Sequence, residues 1–198
     1  MVNTLEYQDK LMSNISCGIC KSLETKKKTF KRSSVLYQCK CCGVFFVWPQ
    51  PDRIEIEKLY SIQDGYFLTS SKNLEITSSE SSSRLDNYLM SLGIKRGRLL
   101  DIGCATGQLL FHLDKYGWKC VGIDINGEAI EIAKENGIDA FKGTLDSIRF
   151  PINSFDVVNM GDIIEHVCSP NLLIQQIKSG SSLFSVGNAI QVLHSWLR

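Results

Sequence analysis

The stretch from Arg98 to Phe111 constrains the fold of this 198-residue chain more than any other. It reads Arg-Leu-Leu-Asp-Ile-Gly-Cys-Ala-Thr-Gly-Gln-Leu-Leu-Phe. Residues 99–102 form a brief apolar run that ends at a glycine, as a buried strand does, and helical spacing resumes after Gly107. A strand, a glycine turn and a helix N-terminus together form a cradle for nucleotide-type ligands, because the glycines let backbone N–H groups approach the ligand.

Two acidic residues narrow the kind of ligand. Asp101 lies two positions before Gly103, where a carboxylate would repel a pyrophosphate but would suit a ligand that carries an ammonium and a sulfonium. Asp124 lies near the end of a second apolar run, 121–125. It follows the first strand at about the sequence distance at which an acid reaches the ribose hydroxyls in a βαβ nucleotide fold. The pattern therefore indicates a positively charged nucleoside without a diphosphate.

Three motifs in this region carry a resemblance to a known family. They are Asp101 to Gly107, the acid at Asp124, and the segment Phe155 to Val167. Their order and spacing resemble the successive motifs of class I S-adenosylmethionine (SAM)-dependent methyltransferases. The resemblance covers roughly residues 80–187 and is strongest to the group that includes ubiquinone-biosynthesis O-methyltransferases and sugar C-methyltransferases. It implies methyl transfer to a small-molecule acceptor, on oxygen or carbon.

The resemblance also implies a set of SAM-binding residues. Backbone near the glycines would approach the amino-acid portion, Asp101 would orient the ammonium, and Asp124 would accept hydrogen bonds from the ribose. The remaining positions would contact the adenine or lie beneath the methyl group. The whole set is Asp101, Gly103, Cys104, Gly107, Asp124, Ile125, Leu145, Asp146 and Met160. Ala105 departs from the family, which commonly has a glycine there.

One histidine is a candidate catalytic group. His166 follows the segment predicted to be the fourth strand of the sheet, where the proton of the acceptor would leave. A histidine that titrates near neutral pH can act as a general base for a phenol or another hydroxyl. The alternative is a structural hydrogen-bonding role, which histidines also fill.

Eight cysteines without a secretion signal indicate reduced thiols rather than a disulfide framework. Cys17-Gly-Ile-Cys20 and Cys39-Lys-Cys-Cys42 form two Cys-x-x-Cys pairs at the spacing of a two-knuckle zinc site. The other interpretation is a set of buried free cysteines. Together with the apolar run and Pro-x-Pro that follow, the pairs resemble the N-terminal zinc ribbon attached to some SAM methyltransferases.

These features predict three regions: a zinc-ribbon module over 1–51, a helical and serine-rich connector over 52–83, and a SAM-binding domain over 84–198. Residues 69–83 are expected to be a linker because they are rich in serine. In the last region strands alternate with helices, which predicts a Rossmann-like α/β fold with a doubly wound, mostly parallel sheet. Its strands are predicted at 98–102, 119–124, 140–142, 156–160 and 183–186.

The family adds a helix and two strands after the fifth strand, whereas few residues follow it here. We therefore expect a domain that is incomplete at its C-terminus, with an uncovered sheet edge. On this ground, an inactive protein that binds SAM and zinc is one alternative function.

Composition adds few constraints. The net charge of +1 and the apolar fraction of 43% predict a globular protein with no general attraction to nucleic acid or membranes. The first ten residues do not resemble a signal peptide, so a cytoplasmic location is expected. The basic run Lys26 to Arg32 leaves a second alternative, an RNA methyltransferase that grips nucleic acid through the ribbon. A solvated hairpin tip is the favoured interpretation of that run, and the pattern does not predict an oligomeric state.

Overall fold

The computed structural model describes residues 15–31, 34–49, 54, 71–151, 153–161, 163–164, 166–167 and 169–179. The chain divides into two compact units. The first comprises residues 1–53 with 168–172, and the second comprises residues 54–167 with 173–198. The predicted ribbon lies in the first unit and the predicted glycine turn in the second.

The first unit contains a three-stranded antiparallel sheet. Its strands, in the order β1-β2-β3, are β1 (Thr25–Lys31), β2 (Ser34–Cys39) and β3 (Phe45–Trp48). Side chains alternate along β3, so that Phe45 and Val47 are exposed while Phe46 and Trp48 are half-buried. The basic run differs from its expected place at a hairpin tip, because Lys26 to Lys28 lie within β1 and are exposed along the strand.

The serine-rich segment is helical where it is described, so the linker prediction over 69–83 is wrong from residue 71 onward. Helix α1 spans Ser71–Ser91. Serine hydroxyls can bond to the carbonyl of the preceding turn, and Ser82 Oγ donates to the Ser79 carbonyl at 2.8 Å, which lets a buried serine remain in the helix. Leu85 and Leu89 then bury the end of α1 against the core of the unit. Apolar burial of this last part outweighs the weak helix propensity of the serines.

The second unit contains a four-stranded parallel sheet, which confirms the predicted doubly wound α/β class. After α1 the elements are β4 (Arg98–Ile102), α2 (Gln108–Lys115), β5 (Lys119–Asp124), α3 (Gly127–Glu135), β6 (Asp139–Lys142), β7 (Val157–Asn159) and α4 (Pro170–Ser179). Helices alternate with strands as far as β6, and β7 follows β6 without a described helix between them. The strand order is β6-β5-β4-β7. The predicted fifth strand over 183–186 lies outside the described residues.

Neighbouring residues of the central strand face opposite sides of this sheet. Leu99 joins a core cluster with helices α1 to α3, including Leu89 and Leu110. Leu100 joins a second cluster on the other face, which includes Phe155 and Ile177 of α4. Such a strand is apolar on consecutive positions because both of its faces are covered, as expected for a parallel sheet.

A buried carboxylate links α1 to the start of the sheet. Asp86 accepts two hydrogen bonds from Arg96, at 3.0 Å from Nε and 2.8 Å from Nη2. It also accepts one from the indole Nε1–H of Trp118 at 2.8 Å. The Arg96 hydrogen bonds lower the pKa of Asp86, so the carboxylate is ionised where three donors converge on it. This network holds the helix end beside the sheet that carries the site.

The strand order reverses its direction of growth at β4. The chain moves outward from β4 through β5 to β6 and then returns to place β7 on the other side of β4. In open parallel sheets, ligands bind outside the carboxyl ends of the strands at such a switch point. Asp101 of β4 and Asn159 of β7 are register partners at this position.

Candidate ligand-binding site and cysteine cluster

The glycine turn after β4 folds onto the end of β5. The backbone N–H groups of Gly103 and Cys104 both donate to the Ile123 carbonyl, at 2.8 and 3.1 Å. These two amides are thus used within the protein, and their contribution is to set the path of the turn. Gly103 has a φ of 81°, a left-handed conformation that favours glycine.

Gly122, which the sequence analysis did not single out, leaves room for this turn to pack against β5. Gly122 lies in β5, and a Cβ added there would be 2.5 Å from Cys104 Sγ. The buried thiol of Cys104 therefore occupies the space that a side chain at position 122 would need. The sequence signal for this role of Gly122 is a glycine inside an apolar strand, two positions before the predicted ribose-binding acid Asp124.

Ala105 is held in a strained conformation by Asp124. Its φ is 48°, in the left-handed region that costs an alanine about 1–2 kcal/mol. Its N–H donates to Asp124 Oδ2 at 2.9 Å. A glycine, the residue common in the family at this position, would adopt this geometry without strain. The alanine found here therefore costs folding free energy.

We expect Ala105→Gly to stabilise the protein by about 0.5–1 kcal/mol, because relief of the left-handed strain exceeds the added entropy of the unfolded chain. Chemical denaturation measures the change. Gly107→Ala is the opposite control: φ is 74° there, and the new Cβ would lie 3.1 Å from side-chain atoms of Ala133 and Ile138. It should destabilise the protein, and a destabilising Ala105→Gly would contradict the strain at that position.

Asp124 organises the loops on both sides of it. While Oδ2 accepts from Ala105, Oδ1 accepts from the N–H of Asn126 at 2.8 Å. Asn126 in turn caps α3 by accepting from the N–H groups of Glu128 and Ala129. An ionised carboxylate has about four acceptor positions, so each oxygen of Asp124 can accept a further hydrogen bond from a ligand.

Asp101 is a buried carboxylate with one polar partner among the described side chains. It is 4% exposed, and Asn159 Nδ2 donates to its Oδ1 at 2.7 Å. The pKa of Asp101 is raised to about 7, chiefly because the carboxyl is buried; the Asn159 hydrogen bond lowers this pKa, and the charge of Asp124 contributes to raising it. No lysine or arginine pairs with Asp101 or Asp124 within the described part of the chain. Two neighbouring carboxylates without a basic partner among these residues favour the binding of a cationic ligand.

Asn159 was not predicted as a site residue. It lies 58 positions after Asp101, within the third of the motifs that carry the family resemblance. A pairing over that separation depends on β7 returning beside β4, which local patterns do not reveal. The amide holds Oδ1 of Asp101 in place.

The other predicted SAM-binding residues have mixed surroundings. Ile125 follows β5 and is half-buried. Leu145 packs against the second core cluster, which contains Leu100 and Phe155. Asp146 is exposed and accepts a hydrogen bond from Gln176 Nε2. Met160 is 1% exposed and belongs to the same core cluster. Their contacts with a cofactor stay predictions, and the burial of Met160 indicates at least a packing role.

His166 lies in a turn after β7 and is half-buried. Its backbone N–H donates to the Ile163 carbonyl at 2.9 Å, which closes the turn. The neighbouring Glu165 lies outside the described residues. A general-base role for His166 therefore stays a prediction.

The structure brings together the four predicted metal ligands of the first unit. The Sγ atoms of Cys17, Cys20, Cys39 and Cys42 all lie within 4.8 Å of one another. Two pairs are closer, at 3.6 Å for Cys17 with Cys42 and 3.4 Å for Cys20 with Cys39. Cys41 is exposed and lies outside the cluster.

Backbone N–H groups point at two of these sulfurs. Ile19 N donates to Cys17 Sγ at 3.4 Å and Cys42 N to Cys39 Sγ at 3.5 Å. The Cys42 N–H is the main reason that the pKa of Cys39 is lowered, to about 6. Such donors stabilise thiolates, which are the form of cysteine that binds metals. The prediction of free buried cysteines is less consistent with this convergence.

Among the described residues, no helix has both the length and the apolar character needed to cross a bilayer.

Fold and site together define an α/β domain in which two carboxylates lie at the ends of neighbouring strands beside a sheet switch point, an arrangement that suits a cationic, nucleoside-type ligand. A family profile described as "Methyltransferase domain" matches residues 79–190. The chain therefore belongs to the methyltransferase domain family. This confirms the resemblance to class I SAM-dependent methyltransferases.

Curated relatives agree with this family. A ubiquinone biosynthesis O-methyltransferase of Xanthomonas oryzae pv. oryzae is 28% identical over 112 residues, 51% of this chain and 47% of that protein. The uncharacterized methyltransferase YcgJ of Bacillus subtilis is 28% identical over 87 residues, which are 40% of this chain and 34% of that protein. The chain spans about half the length, or less, of the curated relatives it matches.

Solved structures support the fold. The plantazolicin methyltransferase BpumL, crystallised with a pentazolic desmethylPZN analog and SAH, matches with a TM-score of 0.51 at 19% identity. The match covers 73% of this chain and 54% of BpumL. At this identity the likeness concerns the fold alone.

Proposed function

We propose that this chain binds SAM at the carboxyl edge of its parallel sheet and transfers the methyl group to a small-molecule acceptor. The observation that carries the proposal is the pair of acids at the tips of β4 and β5. Asp101 is buried beside Asn159 without a basic partner in the described residues, and Asp124 retains acceptor capacity. A ligand with an ammonium and a diol would satisfy both.

The residues fit the chemical groups of SAM. Asp101 would bind the ammonium, and Asp124 would accept from the ribose hydroxyls while it continues to hold Ala105. Ile125 is half-buried and could pack on the adenine. Diphosphate nucleotides fit poorly, because their negative charge would meet two carboxylates.

SAM supplies an electrophilic methyl group on a good leaving group. The protein then has to hold the acceptor about 3–3.5 Å from the reacting carbon and exclude water. Two hydrogen bonds would help to position SAM for this reaction: the Ala105 N–H to Asp124 fixes the glycine turn, and Asn159 to Asp101 fixes one of the two acids. The acceptor side would then need few catalytic groups.

Isothermal titration of the full chain with SAM, NAD and ATP tests the binding step. We expect binding of SAM and no measurable binding of the two phosphorylated nucleotides. Preferred binding of NAD or ATP would overturn the assignment.

Binding of SAM should depend on pH through Asp101. Its pKa of about 7 in the free protein means that the carboxyl is increasingly protonated as pH falls below neutrality, and the protonated form cannot pair with an ammonium. We expect SAM affinity to increase about tenfold from pH 5.5 to pH 7.

Two controls isolate that effect. Asp101→Asn should bind SAM weakly with no such pH dependence, and adenosine, which lacks the ammonium, should bind the wild-type chain equally at both pH values. An affinity for SAM that does not change over this range would contradict the role of Asp101.

For the acceptor, the names of the curated relatives favour a hydroxyl on a small molecule. A screen of phenols and other hydroxyl compounds with SAM carrying a radiolabelled methyl group tests this. Transfer to one of them supports the proposal. SAM binding without transfer to any acceptor would instead support the alternative of an inactive SAM-binding protein.

We propose His166 as the general base for such an acceptor. With an acceptor from the screen, His166→Ala should reduce kcat by about 10²–10⁴-fold, since general-base catalysis contributes that much, while SAM affinity stays unchanged. His112→Ala is the matched histidine control. An unchanged kcat for His166→Ala would dismiss this role.

We also propose that the cysteine cluster holds one zinc ion. A tetrahedral ion with Zn–S bonds of about 2.3 Å separates its sulfurs by about 3.8 Å. The four Sγ atoms, within 4.8 Å of one another, are close to this arrangement. Four thiolates without an open position are typical of a structural site, so the ion would stabilise the small sheet of the first unit.

A further inference from the structure

One face of the small antiparallel sheet combines exposed apolar and basic side chains. We call it the basic face, and it consists of the exposed residues Lys26, Lys28, Phe45 and Val47 together with the half-buried Leu36. Phe45 is 54% exposed and Val47 is 42% exposed, on a strand whose other residues are half-buried. Both lysines are exposed as well.

Strand register places these residues together. Gln38 of β2 pairs with Lys26 of β1 on one side and with Phe45 of β3 on the other. Directly opposite residues of neighbouring strands share a face, so this row points the same way. Leu36 and Val47 form the adjacent row of the same face.

Lys28 completes the face from an irregular position. The register of β1 shifts between Lys27 and Thr29. The shift brings Lys28 Nζ to 5.7 Å from the ring centroid of Phe45. The Phe45 ring of β3 therefore lies beside the charge of Lys28, which belongs to β1.

The opposite face of the sheet has aromatic contacts of its own. Tyr37 and Phe46 stack there with ring centroids 6.0 Å apart, and Val35 is buried. Exposed Phe45 is thus left over after the small sheet has packed its inner side. Exposure of a large aromatic residue is informative where it lies among lysines, because this combination recurs at surfaces that bind single strands.

Charge in this segment is strongly positive. Residues 15–49 contain seven lysines and arginines and one acid, Glu24, whereas the whole chain has a net charge of +1. A zinc tetrathiolate would contribute about −2, which leaves the segment basic. The complementary partner is a polyanion.

We propose that the basic face binds single-stranded nucleic acid. A base would stack on Phe45, with Leu36 and Val47 extending the apolar platform, and phosphates would contact Lys26 and Lys28. A flat exposed ring can stack with an unpaired base but not with one inside a duplex, so a single strand is the expected form. This inference does not depend on SAM binding by the other unit.

Fluorescence anisotropy with a fluorescein-labelled oligouridylate of about 15 nucleotides tests the proposal on the full chain at low salt. Phe45→Ala should weaken binding by about tenfold or more, as loss of a stacking aromatic does, while Phe45→Trp should retain it. Lys26→Gln combined with Lys28→Gln should reduce the slope of log K against log salt by about 1.4, or about 0.7 for each phosphate contact.

Lys95→Gln combined with Lys119→Gln is the matched control. These two lysines are exposed in the second unit, so the control removes the same charge away from the basic face and should leave the slope unchanged. Equal zinc content and equal melting behaviour in all variants would show that they fold alike.

The proposal is overturned if the oligonucleotide does not bind, or if the basic-face variants bind as the wild type does. It is also overturned if anionic phosphatidylserine vesicles bind through Phe45 while the oligonucleotide does not, which would assign the face to a lipid surface. The SAM titration of the same protein distinguishes failure here from failure of the methyltransferase assignment.

Discussion

Replacing Cys39 with serine is expected to abolish stoichiometric zinc binding and to unfold the first unit. Zinc binding contributes about 10–16 kcal/mol of apparent free energy in zinc-finger peptides at pH 7, far more than a sheet of three short strands can supply. Cys39 is buried, and its Sγ lies 3.4 Å from that of Cys20 within the cluster. Removal of its thiolate leaves three ligands and breaks a closed site.

The measurement is zinc content after dialysis against a chelator, followed by limited proteolysis of the first unit. Cys41→Ser is a closely matched control, because Cys41 lies in the same turn but outside the cluster. It should retain one zinc ion for each chain. Wild-type protein should lose zinc as the pH falls, since protons compete for the thiolates. Retention of zinc by Cys39→Ser, or equal loss in Cys41→Ser, would contradict the assignment.

The second large effect is expected at Asp124. Asp124→Ala should weaken SAM binding by about 100-fold or more, because two hydrogen bonds from ribose to an ionised carboxylate are lost at once. The substitution also releases the N–H groups of Ala105 and Asn126, so the turn that faces the ligand loses its support. Isothermal titration with SAM measures the change.

Two further variants separate these causes. Asp139→Ala removes one exposed acid from β6 of the same sheet and should leave the affinity unchanged. Asp124→Asn keeps an acceptor oxygen for one backbone N–H and should fall between Asp124→Ala and the wild type. If Asp124→Ala binds SAM as tightly as the wild type, the ribose assignment is wrong.

Several elements followed from the residues because their causes are local. The apolar run at 119–124 became β5 with the same bounds, and the run at 98–102 became β4. The spacing of the Cys-x-x-Cys pairs predicted the four sulfurs that converge, and Cys41 lies outside their cluster. In each case the structure depends on residues close together in the sequence: an apolar run predicts a buried strand, and the spacing of cysteines predicts which sulfurs converge.

Other features depend on partners that are distant in the chain. The serines after residue 70 predicted a linker, but burial of Leu85 and Leu89 and the bonds made by Asp86 anchor the end of a long helix there. The lysines of β1 have one aromatic residue near them in the sequence, Phe30, whereas the register of the small sheet places Phe45 of another strand beside Lys28.

The sequence by itself determined the order of strands and helices, the two acids at strand ends and the four thiols, since each depends on residue type and spacing over a few positions. Only the tertiary structure decided what those acids contact. Asp101 meets Asn159 because β7 returns beside β4, and Asp124 holds Ala105 because the glycine turn folds across β5. Both contacts join residues at least 19 positions apart, so they exist only once the parallel sheet has formed.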